Sequence, residues 1–172
     1  MLDLEHELGA LIDALNHDAI EYALCGGLAL AVHGFVRASV DIDLLVREED
    51  VPAITAAADR LGFDRLIKFD VHGDPLTIDL CVVTSAIENV WRERETLAWN
   101  GRSLTIVSRD GLIALKTRRA GRWDLSDITR MGPVDYSERA IALRIRQVSQ
   151  LRKLCLSLGK AKPSTPPAPP RQ

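Results

Sequence analysis

Leu2, Leu4, Leu8, Leu11, Ile12 and Leu15 recur at the spacing of one helix face and predict a helix over residues 3–17. A short apolar run at 21–25 reads as a strand, stopped by Gly26-Gly27. Residues 28–33 read as a brief helix ended by Gly34, and 39–46 as a strand. A helix follows over 48–61, with Pro52 in its first turn and Gly62 after it. Strands are predicted at 63–71 and 75–84, separated by the turn signal Gly73-Asp74, then a helical stretch at 85–92. A strand pair at 97–100 and 103–107 flanks Gly101. Ser108 or Asp110 can cap a helix reaching Arg119, Asp124 can cap another reaching about Met131, and a long helix spans 135–158. Residues 160–172 are Pro-rich and read as a disordered or extended tail.

This order predicts an α+β fold, a small mixed β-sheet with helices packed against it and helices dominating the C-terminal third. The expected organisation is one domain over 1–159, with its core at about 20–130 and no internal repeat. Aromatic residues are 5% and hydrophobic residues 47%, so the core is expected to be built from Leu, Ile, Val and Ala. No apolar run reaches the ~18 residues of a membrane span. The first residues carry acids where a leader peptide carries bases, and the expected location is the cytoplasm. Cys25, Cys81 and Cys155 match no zinc spacing and read as buried reduced thiols. The four histidines form no metal-like cluster, and His33 reads as a packing residue.

Charge changes the picture. Residues 1–108 carry 8 basic and 19 acidic side chains, a net of −11, while residues 109–160 carry 12 and 5, a net of +7. An acidic half suits divalent cations, and a basic half suits a polyphosphate or a nucleic-acid backbone. Arg144, Arg146 and Arg152 on the final helix are read as a broad basic surface.

The chemistry concentrates in Cys25-Gly26-Gly27, thirteen further residues, then Asp41-Ile42-Asp43-Leu44. Residues i and i+2 of a strand share a face, so Asp41 and Asp43 point the same way. Adjacent carboxylates repel, and a cation between them relieves that. The glycines permit close approach to the backbone, and the helix after them offers N–H groups to an anion. Asp79, the acid within the apolar run Leu76–Val82, completes a three-carboxylate cluster if its strand lies beside the first. Asp70 and Asp74 flank a turn and read as solvent-exposed. Arg37, four residues before the acid pair, is placed to touch a phosphate or to pair with acids. No Gly-x-Ser-x-Gly elbow, P-loop or Rossmann glycine pattern is present.

These residues resemble the signature of the nucleotidyltransferase superfamily (DNA polymerase β-like). That signature is a hydrophobic residue, Gly-[Gly/Ser], about nine to thirteen residues, then Asp-h-[Asp/Glu]-h. The resemblance implies that Gly26 and Gly27 bind nucleotide phosphates. It implies that Asp41, Asp43 and Asp79 are the catalytic carboxylates and ligands of Mg²⁺ or Mn²⁺, with an NTP as substrate. The stretch from Val107 to Lys116, with Gly121-Arg122-Trp123-Asp124 and Asp127, is similar to a segment of the type IV abortive-infection toxin-like group. That similarity implies that Lys116 and Arg122 contact the nucleotide. The implied activity is transfer of a nucleoside monophosphate to a hydroxyl acceptor. RNA (including tRNA) or protein is the favoured acceptor, with a toxin–antitoxin partner in view. The alternatives are a nucleotide-binding, antitoxin-like partner protein and an antibiotic-modifying enzyme.

Overall fold

In the computed structural model, residues 1–118 and 133–158 are described, without the side chains of residues 116–118. The predicted helix at 124–131, Arg122, Asp124, Asp127 and the Pro-rich tail lie outside the described residues, as does the side chain of Lys116.

Helix α1 (Leu4–His17) starts where Asp3 accepts hydrogen bonds from the backbone N–H groups of Glu5 and His6. Strand β1 (Ala23–Leu24), helix α2 (Gly26–Val32) and strand β2 (Asp41–Val46) follow. Helix α2 begins on the two glycines, not after them as expected, and is only seven residues long. Helix α3 (Val51–Arg60) leads to the paired strands β3 (Ile67–Phe69) and β4 (Pro75–Val82). Helix α4 (Glu88–Arg92), strands β5 (Glu95–Trp99) and β6 (Arg102–Ile106), and helices α5 (Arg109–Arg118) and α6 (Glu138–Ser157) complete the described chain. Asn100 and Gly101 both have positive φ, 49° and 74°, which is how a two-residue hairpin joins β5 to β6.

The expected mixed sheet is present. Its six strands run in the order β3-β4-β2-β1-β6-β5. β2 is parallel to β4 and antiparallel to β1, and β1 is parallel to β6. Ile42, Leu44 and Val46 alternate inward on β2 and are fully buried. Helix α6 packs against both α1 and α2.

The inward face of α6 carries Ile141, Ile145, Val148, Ser149 and Arg152. Arg152 overturns the expected basic surface, because it is fully buried. Its guanidinium donates to the carbonyls of Pro75 at 2.6 Å, Leu2 at 3.2 Å and Val40 at 3.4 Å. Burial lowers its pKa, against the field of Asp74, Asp70, Asp41 and Asp3. Arg144 donates to the carbonyls of Val32 and Asp135, and Arg146 pairs with Glu5 at 3.2 Å. These arginines tie α6 to the rest of the domain. Asp70 also departs from expectation: its side chain is 3% exposed and accepts from the backbone N–H of His72 and Asp74.

His33 ends α2 and is buried, as a packing residue should be. Its Nε2 lies 2.8 Å from the carbonyl of Val107 and must carry the proton, which leaves Nδ1 to accept from the Tyr136 hydroxyl at 2.8 Å. Burial pushes the His33 pKa down. The unfolded chain therefore binds a proton more readily than the folded one. This contribution to stability is complete above about pH 6.5, the value for a free imidazole, and is lost as pH falls from there toward the folded pKa. His33→Gln is expected to flatten this part of the stability profile between pH 7.5 and 5, as read by urea melts at each pH. An unchanged slope would show that other groups cause it.

Candidate functional site

A cleft of about 650 Å³ opens beside the carboxyl-bearing strands. Its lining includes Cys25, Gly26, Gly27, Arg37, Ser39, Asp41, Asp43 and Asp79 together with Leu80, Val82, Ile87, Leu112 and Leu115. The parallel register sets Asp43 directly opposite Asp79 and Asp41 opposite Thr77. Side chains directly opposite on parallel strands share a face, as do residues two apart on one strand. Asp41, Asp43 and Asp79 therefore stand on the same side of the sheet, and each is half-buried.

The glycines are explained by what occupies the space beside them. Gly26 has φ +63°, and a Cβ there would lie 2.0 Å from Asp43 Oδ2. A side chain on Gly27 would lie 2.7 Å from Ser39 Oγ. Only glycine at both positions lets the Asp43 carboxylate and the Ser39 hydroxyl lie against this backbone. The backbone N–H of Cys25 also donates to the carbonyl of Asp43 at 2.9 Å, which holds the end of β1 beside the acid pair.

Asp43 thus leans toward Gly26, on the β1 side, while Asp79 is on β4, at the opposite flank of β2. Accordingly, among the described residues, no three His, Cys, Asp or Glu side chains stand together as a set able to hold a metal ion. The donor chemistry nevertheless fits a hard divalent cation, because all three side chains offer oxygen. Mg²⁺ characteristically takes one or two carboxylates and completes its shell with water and substrate phosphate. Such a site does not require a closed protein cage.

Arg37 is exposed on the cleft lining and makes no hydrogen bond or ion pair among the described residues. Helix α5 begins where Ser108 Oγ accepts from the backbone N–H of Gly111 at 3.2 Å, and it presents Leu112 and Leu115 to the cleft. Sequence reasoning read Ser39 only as the start of a strand. The spacing Arg37, Ser39, Asp41, Asp43, each two apart, is the signal that singles it out. Two thiols also reach the cleft lining, Cys25 and the half-buried Cys81.

No protein-family model and no curated protein matches the chain. Solved structures do. The antibiotic-resistance factor ANT(2'')-Ia matches with a TM-score of 0.52 at 18% identity, over 92% of this chain and 95% of that one. A Thermotoga maritima protein assigned as a nucleotidyltransferase matches with a TM-score of 0.51 at 15% identity, over 73% and 89%. An antigenic nucleotidyltransferase-like protein from Paracoccidioides brasiliensis matches with a TM-score of 0.51 at 17% identity, over 93% of each chain. The fold is that of the nucleotidyltransferases.

Proposed function

We propose that this nucleotidyltransferase-fold chain transfers a nucleoside monophosphate from an NTP to a hydroxyl acceptor, releasing pyrophosphate. One observation carries the reading: Asp41, Asp43 and Asp79 share a face of two adjacent parallel strands and line a cleft with Gly26 and Gly27. A domain that only binds a partner has no need to hold three carboxylates on one wall of a cavity, since their mutual repulsion costs stability.

The roles follow from placement. Asp41, Asp43 and Asp79 would hold Mg²⁺ or Mn²⁺, which when bound lowers the charge barrier at the transferring phosphoryl group and favours the hydroxylate form of the acceptor. Gly26 and Gly27 are assigned to the nucleotide phosphates from the resemblance, with the Asp43 carboxylate and the Ser39 hydroxyl lying against their backbone. Arg37 supplies a guanidinium to the polyphosphate. Lys116, whose helix borders the cleft through Leu112 and Leu115, and Arg122 are assigned to the same phosphates from the toxin-like resemblance.

For the acceptor, the toxin-like resemblance favours RNA or protein and a toxin–antitoxin setting. The structure removes one support for RNA, because Arg144 and Arg152 are spent on backbone carbonyls and Arg146 on Glu5. A small-molecule acceptor gains from the likeness to ANT(2'')-Ia, which has been solved with adenylyl-2''-tobramycin at a TM-score of 0.51 to this chain. Incubation with each α-labelled NTP, Mg²⁺ or Mn²⁺, and in turn total RNA, cell protein or an aminoglycoside panel should move label onto one acceptor class. Label on none of them, with every NTP and both metals, would leave a nucleotide-binding partner protein as the better reading.

A further inference from the structure

We propose that Arg152 is a positioning residue for the acid-bearing strands. It ties the starts of β2 and β4 together and so holds Asp43 opposite Asp79 for a divalent cation. This rests on the nucleotidyltransferase reading above and adds a residue to it.

The contacts fall at the ends of two neighbouring parallel strands. Arg152 Nη2 donates to the carbonyl of Pro75 at 2.6 Å, and Pro75 is the first residue of β4. Nε donates to the carbonyl of Val40 at 3.4 Å, and Val40 immediately precedes β2. Asp41 is level with Thr77 in the register of the pair, so Val40 is level with Leu76, the residue after Pro75. One guanidinium therefore spans β2 and β4 where they come together. Nη1 donates to the carbonyl of Leu2 at 3.2 Å, which ties the same point to the segment before α1. A guanidinium can serve three segments because its N–H groups diverge in a rigid plane.

Both strands need such a tie. Residues 35–40 form no helix or strand, so no regular element leads into β2. Pro75 has no N–H to donate, so the guanidinium anchors the start of β4 through its carbonyl. Asp43 stands directly opposite Asp79, and like charges so placed push the strands apart. Arg152 resists that displacement from inside the protein. It is fully buried and lies in the field of Asp41 among other carboxylates, so its charge also offsets part of theirs. Packing alone would be served by an apolar side chain at this place on α6, as at Ile145 and Val148. A buried charge is the costlier choice, and what it adds here is the tie between the strands.

The test compares wild type, Arg152→Lys and Ile145→Ala by amide hydrogen exchange and by titration calorimetry with Mn²⁺ alone. Arg152→Lys keeps the charge but brings one nitrogen to a place where three carbonyls are held. Ile145→Ala opens a cavity earlier on the same buried stripe and is the control for lost stability. Arg152→Lys should speed exchange at the amides of Ile42 and Ile78 beyond the control. It should also weaken Mn²⁺ by about 10-fold or more, the scale for groups that orient metal ligands. Ile145→Ala should leave Mn²⁺ affinity unchanged. If Arg152→Lys does not fold, Arg152→Met takes its place in the same comparison. Exchange at these amides equal to the control would overturn the proposal. So would faster exchange with undiminished Mn²⁺ affinity, which marks a purely structural role. If wild type itself takes up no Mn²⁺, the functional reading fails first, and the assignment of Arg152 falls with it.

Discussion

Asp43→Asn is expected to reduce nucleotidyl transfer by about 10³-fold or more, because metal-assisted charge stabilisation contributes several kcal/mol to such reactions. The melting temperature should stay the same or rise slightly. Asparagine has the shape of aspartate, so the contact with Gly26, whose Cβ position lies 2.0 Å from Asp43 Oδ2, is preserved. What disappears is one of two charges set directly opposite each other on β2 and β4. Removing one relieves repulsion in the metal-free protein. Mg²⁺ should raise the melting temperature of wild type and raise that of the variant much less. Equal stabilisation of both by Mg²⁺ would place the ion elsewhere. Full activity in the variant would remove Asp43 from the chemistry.

Arg152→Met should have the opposite profile, a large loss of stability with no direct role at the cleft. Methionine fills much of the volume but leaves the carbonyls of Leu2, Val40 and Pro75 without their donor inside the protein. Stranding buried polar groups in this way costs about 3–5 kcal/mol in total. That is a large share of the roughly 5–15 kcal/mol that holds a domain folded. A fall in melting temperature of about 10 °C is expected for a domain of this size. A fall of less than about 2 °C would show that water or a neighbouring side chain replaces the guanidinium. Because Val40 immediately precedes Asp41, and Pro75 opens the strand that carries Asp79, folded Arg152→Met should also loosen the strand ends that carry these two acids.

Arg152 also shows where sequence was read too simply. Its charge led to a surface assignment, but it falls four residues after Val148, seven after Ile145 and eleven after Ile141, on the buried stripe of α6. The period carried the right answer, and residue type obscured it. The acid pair was legible because strand alternation and the glycine spacing point to the same chemistry. The β2–β4 pairing that brings in Asp79 was legible only as a condition, since nothing local states which strands are neighbours. The strand expected at 63–71 shrank to Ile67–Phe69 because Arg65 and Leu66 take positive φ, 47° and 65°, in the turn that leads into it. Neither residue type announces that conformation. Asn100-Gly101, by contrast, is a readable hairpin turn, and the strands on either side formed within two residues of expectation.

The middle of the sheet rests on β1, a strand of two residues, Ala23 and Leu24. Leu24 pairs with Leu44 on one side and with Ile106 on the other. The second partner is 82 residues away along the chain, so the centre of the sheet cannot close until the chain beyond β6 is available. Loop-closure entropy must be met before that pairing returns anything. On a ribosome, β1 emerges long before β6, and α6, whose Arg152 reaches back to Leu2, emerges later still. The consequence is kinetic: folding should be slow for a chain of this length, on a scale of milliseconds to seconds. It should also be completed only after the last helix has left the exit tunnel.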